Sequence, residues 1–163
     1  MYCTKALALA LAAAASITMG LNASAETLSI AGASGLPDEF SPACSNPHIT
    51  TNEMWVAHGS ICVLSYPLNL PAGKVIESIQ IAYSVDSLNL GTPNLVAYLG
   101  QNRLTPNLGV IAIAGNSVSP QAVGQGFLTM SSLNIPVAQG STYWVQLSDA
   151  AVSNISSISV SYH

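Results

Sequence analysis

Ser78-Ile79-Gln80-Ile81-Ala82-Tyr83-Ser84-Val85 alternates apolar and small or polar residues without a break. Ile79, Ile81, Tyr83 and Val85 fall on one face; Ser78, Gln80, Ala82 and Ser84 fall on the other. Successive side chains of a strand point to opposite faces, so this pattern specifies a β-strand with one buried side. Its polar face carries hydroxyls and an amide rather than charges.

Downstream the same grammar continues. Asn89 to Asn94 breaks the strand with Gly91 and Pro93, and Leu95 to Gly100 reads as the next one. Gln101 to Asn107 is polar. Leu108 to Ala114 is an unbroken apolar run, as expected of a more deeply buried strand. Gly115 to Gly126 reads as a loop, followed by short apolar pieces at Phe127 to Ser131 and Leu133 to Val137. In Thr142 to Ser148, Tyr143, Val145 and Leu147 alternate with Trp144 and Gln146. Ile158, Val160 and Tyr162 then alternate with Ser157, Ser159 and Ser161.

Upstream, Glu53 to Ala57 and Ser60 to Tyr66 are apolar runs separated by His58-Gly59, the signature of a hairpin turn. Gly32 to Asn52 is irregular, punctuated by Gly32, Gly35, Pro37, Pro42 and Pro47. Thr27 to Ala31 reads as a short first strand. Roughly eight to ten short strands at this spacing predict an all-β chain, a single antiparallel β-sandwich of jelly-roll or immunoglobulin-like type. Two apolar-Pro segments followed by a Gly turn, Leu70 to Gly73 and Ile135 to Gly140, read as turns of the kind sandwiches use where the chain changes sheets.

Residues 1–25 stand apart. A short segment with Lys5, an Ala/Leu run from Ala6 to Ala15, and Ala23-Ser24-Ala25 have the layout of a secretory signal peptide cleaved after Ala25. Ser16, Thr18 and Gly20 interrupt the apolar stretch, which argues against a membrane-spanning anchor. The expected organisation is a signal peptide at 1–25, a short strand plus an irregular disulfide-tethered segment at 26–52, and a sandwich body at 53–163. Such a protein is exported to the periplasm, the cell surface or the medium.

After residue 25 the cations are Lys74 and Arg103, and the acids are Glu26, Asp38, Glu39, Glu53, Glu77, Asp86 and Asp149. Two isolated cations cannot form the basic cluster that nucleic acid or an anionic membrane surface requires. Cys44 and Cys62 are the cysteines of this region, and in an exported chain they are expected to pair. The spacing Cys44-x3-His48-x9-His58-x3-Cys62 also invites a metal reading. It lacks the tight Cys-x2-Cys pairs of common zinc sites, so the disulfide is preferred. No cofactor is called for. Asp38, Glu53, Asp86 and Asp149 could supply oxygen ligands to calcium, but they show no EF-hand spacing.

Catalytic patterns are equally sparse. Gly32-Ala33-Ser34-Gly35 resembles part of a nucleophile elbow without its Gly-x-Ser-x-Gly frame. Seven acids select no facing pair of the sort glycoside hydrolysis needs. A hydrolase with an unrecognised site is therefore the third reading.

Aromatic side chains lead elsewhere. If the Tyr143, Val145 and Leu147 face is buried, Trp144 points outward onto a surface of hydroxyls and amides. A flat ring there suits the apolar C–H face of a sugar, and Trp144 becomes the candidate ligand-binding residue of a non-catalytic module for a neutral polysaccharide. Trp55, beside Val56, reads as core.

Assembly with like subunits is the alternative. Thr27 to Ala31 could be a donated strand, and strand addition to an open sheet edge is a known mode. With a disulfide and penultimate Tyr162, the chain resembles chaperone–usher pilins at those points. It departs from them at Asp149-Ala150-Ala151, where pilins carry a glycine. An ordinary closing strand accounts for Ile158, Val160 and Tyr162 by alternation alone.

Overall fold

The computed structural model describes residues 24–37, 48–49, 54–55, 61–85, 88, 94–103, 110–150 and 154–163. The proposed signal segment before residue 24, the turn at His58-Gly59 and Cys44 lie outside them. So do the side chains of Cys62 and of all four calcium candidates.

Twelve strands occur among the described residues: β1 (Glu26–Ala31), β2 (Leu36–Pro37), β3 (His48–Ile49), β4 (Met54–Trp55), β5 (Ile61–Leu68), β6 (Val75–Val85), β7 (Asn94–Arg103), β8 (Val110–Val118), β9 (Gly124–Met130), β10 (Ile135–Pro136), β11 (Ser141–Ala150) and β12 (Asn154–Tyr162). All pairings are antiparallel, and they make two sheets. In the first, β9 and β10 follow one another along one flank of β6, β12 lies on the other flank, and β1 and β4 share the far side of β12; β3 closes on β4. The second runs β2–β5–β11–β7–β8.

Between the sheets sits one apolar core. The first contributes Ile76, Ile79, Ile81, Tyr83, Leu128, Met130, Ile155, Ile158 and Val160; the second contributes Leu64, Tyr66, Leu95, Ala97, Leu99, Tyr143, Val145 and Leu147. Each fully buried Leu or Ile is worth about 1.5–3 kcal/mol of transfer free energy. The period-2 reading of β6 holds: Ile79, Ile81, Tyr83 and Val85 are buried. Where inward residues stand three apart, a bulge supplies the extra residue. Ser161 faces Ser78 and Tyr162 faces Ile76, so Glu77 is skipped and both Ile76 and Ile79 point inward. A second shift, between Ile155 and Ser157, does the same for Ile155 and Ile158.

Three expectations are corrected. In the described parts of the runs at 53–57 and 60–66, β4 and β5 do not pair as a hairpin, because β4 pairs with β12 and β3 while β5 pairs with β11 and β2 in the other sheet. The described part of the Leu108 to Ala114 run, from Val110, is not a deeply buried strand: β8 is the edge of its sheet, and Ile113 is 36% exposed. A bulge explains the lost alternation, since Leu99 faces Ala114 and Gly100 faces Ala112, leaving Ile113 unpaired. Finally, the loop read over Gly115 to Gly126 is shorter than expected, because β8 runs on to Val118 and β9 begins at Gly124. The polar stretch after Gly100 starts within a strand: residues 101–103 continue β7, and Gln101 is buried.

Both Pro/Gly corners carry the chain from one sheet to the other, β5 to β6 and β10 to β11. Gly73 (φ 84°) and Gly140 (φ 73°) take left-handed conformations that disfavour a side chain. The corners also bond to each other: Gly73 N donates to Val137 O (2.9 Å) and Val137 N to Lys74 O (2.7 Å). Beneath them the Tyr143 hydroxyl donates to Pro136 O (3.0 Å) and accepts from Ala138 N (3.0 Å) and Gln101 Nε2 (2.9 Å). That uses its one donor and both lone pairs.

Candidate functional site

Inward residues Tyr143, Val145 and Leu147 of β11 put Trp144 on the outer face of the five-stranded sheet, where it is half-buried. Across the ladder it faces Gly100 of β7 on one side and Pro67 of β5 on the other. Its benzo ring occupies the space a Cβ at Gly100 would need, so the indole lies down over the neighbouring strand. Its Nε1 donates to Asn102 Oδ1 at 3.4 Å, which fixes the direction of the lean.

One row along the sheet the arrangement repeats. Tyr98 of β7 is 41% exposed and faces Gly115 of β8. A Cβ at Gly115 would lie 2.9 Å from Tyr98 Cδ1 and 3.2 Å from Cε1. Gln146 and Ser65 complete that row on β11 and β5. The next row is Val63, Ser148, Val96 and Ser117, and Thr142 and Asn102 sit beyond Trp144. None of these residues is charged. The face is an uncharged surface with two aromatic rings and a fringe of amides and hydroxyls.

Sequence reasoning picked out Trp144 and missed Tyr98. The signal was present: Leu95, Ala97 and Leu99 alternate with Val96 and Tyr98, which turns Tyr98 outward once β7 is recognised.

Other candidates fare differently. Ser34 sits in a 3₁₀ turn (Gly32–Ser34) and its Oγ donates to Ala31 O at 2.7 Å, a local turn bond rather than a nucleophile's contact. His163 Nδ1 lies 3.0 Å from Glu77 Oε1 beside a shallow depression also lined by Ser78, Ser132 and Asn134. There the Ser161 hydroxyl donates to Glu77 Oε2 (3.4 Å), not to the imidazole, so the nucleophile–base contact of a hydrolase is not formed by this serine. Among the described residues no group of three or more His, Cys, Asp or Glu could hold a metal. The candidate donated strand, Thr27 to Ala31, is seated in its own chain: β1 pairs with β12 along its whole length, and Leu28 and Ile30 pack against the core. Lys74 Nζ, 2.6 Å from Glu26 Oε1 and 5.9 Å from the Tyr162 ring centre, fastens its start.

No family model and no curated protein matches the chain. Solved structures with similar outlines include the isomalto-dextranase of Arthrobacter globiformis T6 complexed with panose, at 10% identity and TM-score 0.46; the similarity covers 82% of this chain and 23% of that one. A second is TmCBM61 in complex with beta-1,4-galactotriose, at 14% identity and TM-score 0.34 over 85% of this chain and 84% of that one. A third is the K1 cleaved adhesin domain of Lys-gingipain from Porphyromonas gingivalis W83, at 12% identity and TM-score 0.34 over 85% and 98%. The chain thus spans about a quarter of the isomalto-dextranase and most of the other two, and at these scores the likenesses are of outline only.

Proposed function

We propose that the chain is an exported, non-catalytic β-sandwich of jelly-roll type that binds a neutral polysaccharide on the outer face of its five-stranded sheet. The jelly-roll reading is supported by the strand orders β9–β6–β12–β1 and β5–β11–β7–β8, in which most successive strands alternate between sheets. The observation that carries the function is the indole of Trp144, laid over Gly100 on an uncharged outward face. A ring in that pose has one side against the sheet and one side open. Water gains little from an apolar plane, whereas the C–H face of a sugar covers it and leaves the sugar hydroxyls to neighbouring amides.

Affinity electrophoresis through gels containing soluble neutral polysaccharides tests this, with Trp144→Ala alongside and circular dichroism to check its fold. Retardation by at least one polysaccharide is expected, with affinity falling about thirtyfold or more in the variant, as for a central aromatic anchor. No retardation by any polysaccharide, or equal retardation of a folded Trp144→Ala, overturns the reading.

A further inference from the structure

We infer that the face takes an extended chain rather than a single sugar, that Tyr98 is its second stacking residue, and that the preferred chain is built of pyranose rings whose hydroxyls are all equatorial. This rests on the polysaccharide reading above. Tyr98 lies two residues from Gly100 on β7 and shares the outer face with Trp144. Each ring leans over a glycine of the next strand, Trp144 from β11 onto β7 and Tyr98 from β7 onto β8, so the two lean the same way. Diagonal neighbours on a sheet stand about 7–8 Å apart. One pyranose cannot stack on both rings, whereas successive units of a chain can.

Stacking also selects configuration. An axial hydroxyl projects from the sugar's face and holds it off an aromatic plane. In a two-fold β-1,4 chain, successive units turn opposite faces to the same surface, so both faces must be clear. Equatorial gluco-configured units meet that condition, and manno-configured units, with an axial 2-hydroxyl, fail it on one face. Gln146, opposite Tyr98, and Asn102, beside Trp144, supply neutral amides rather than charges, which suits a ligand without carboxylate or sulfate.

Calorimetric titration with β-1,4-linked gluco- and manno-oligosaccharides, from disaccharide to hexasaccharide, tests the inference. For the wild type, affinity in the gluco series should rise about tenfold or more with length as the second ring engages, while the manno series stays weak. Tyr98→Ala should bind the gluco disaccharide like wild type but lose the gain with length, and Tyr98→Phe should keep it. A length gain that survives in Tyr98→Ala, or equal binding of the two series, overturns the inference. If Trp144→Ala abolishes binding while Tyr98→Ala leaves the length profile unchanged, only this inference fails. If neither series binds while another neutral polysaccharide retards the protein in the gels, again only this inference fails; if Trp144→Ala binds as wild type, or no polysaccharide binds in either assay, the polysaccharide reading fails with it.

Discussion

Among the described residues three aromatic side chains face a glycine directly across the ladder: Trp144 and Gly100, Tyr98 and Gly115, Tyr83 and Gly126. Glycine weakens a strand because it has nothing to pack, and an aromatic partner covers the gap. Tyr83 does so inside the core, where a Cβ on Gly126 would meet its ring. The other two pairs are on the outside, and there the covering ring keeps one open face. The same local device therefore serves packing on one side of the molecule and leaves aromatic planes on the other, the face proposed above to take the polysaccharide. Tyr143 shows a different economy, with all of its hydroxyl's hydrogen-bonding capacity in use. Tyr143→Phe should destabilise the fold by about 1–3 kcal/mol in urea denaturation, because Ala138 N–H and the Gln101 amide lose their acceptor. Trp144 could be read from sequence because its neighbours alternate cleanly. The glycines that seat it and Tyr98 could not, since their meaning lies in cross-strand register.

Among the elements, β6 was legible from its alternation alone, and β11 and β12 nearly so. The failures share a cause. Bulges at Ile113, Ser156 and Glu77 break the two-residue period, and the β8 bulge made an edge strand look like a buried one. Which of two neighbouring runs pairs with which is likewise invisible, because pairing of β4 with β12, and of β5 with β11, joins residues far apart in the chain. β1 illustrates how such an edge element is held. Lys74 donates a hydrogen bond to Glu26, and this together with its positive charge holds the Glu26 carboxyl below the usual carboxylate range. A carboxylate whose folded pKa is lowered adds stability above its unfolded pKa, and that stability is lost as pH falls through the folded value. Glu26→Gln should therefore melt slightly below wild type at neutral pH. The gap should close on acidification below the ordinary carboxylate range, as followed by thermal melts across pH. A gap that widens in acid would contradict the assignment.

For the molecule as a whole, sparse charge is the governing property. The full chain carries a formal net charge of −4, and beyond residue 25 its cations are Lys74 and Arg103, the first already paired with Glu26. Recognition on the aromatic face should consequently ignore ionic strength: affinity for a bound polysaccharide should change by less than about twofold between ~0.05 and ~0.5 M NaCl, where an ion-pair interface would weaken steeply. The placement of β11 and β12 has a consequence of another kind. They follow every other strand in sequence, yet β11 lies between β5 and β7, and β12 lies between β6 and β1. A polypeptide emerging amino end first thus has the rims of both layers before it has either centre. Until residues 141–162 appear, β5 and β7 have no strand to join them, and neither have β1 and β6. Each layer of this topology therefore closes only once residues 141–162 are available, so both layers are completed at the last step.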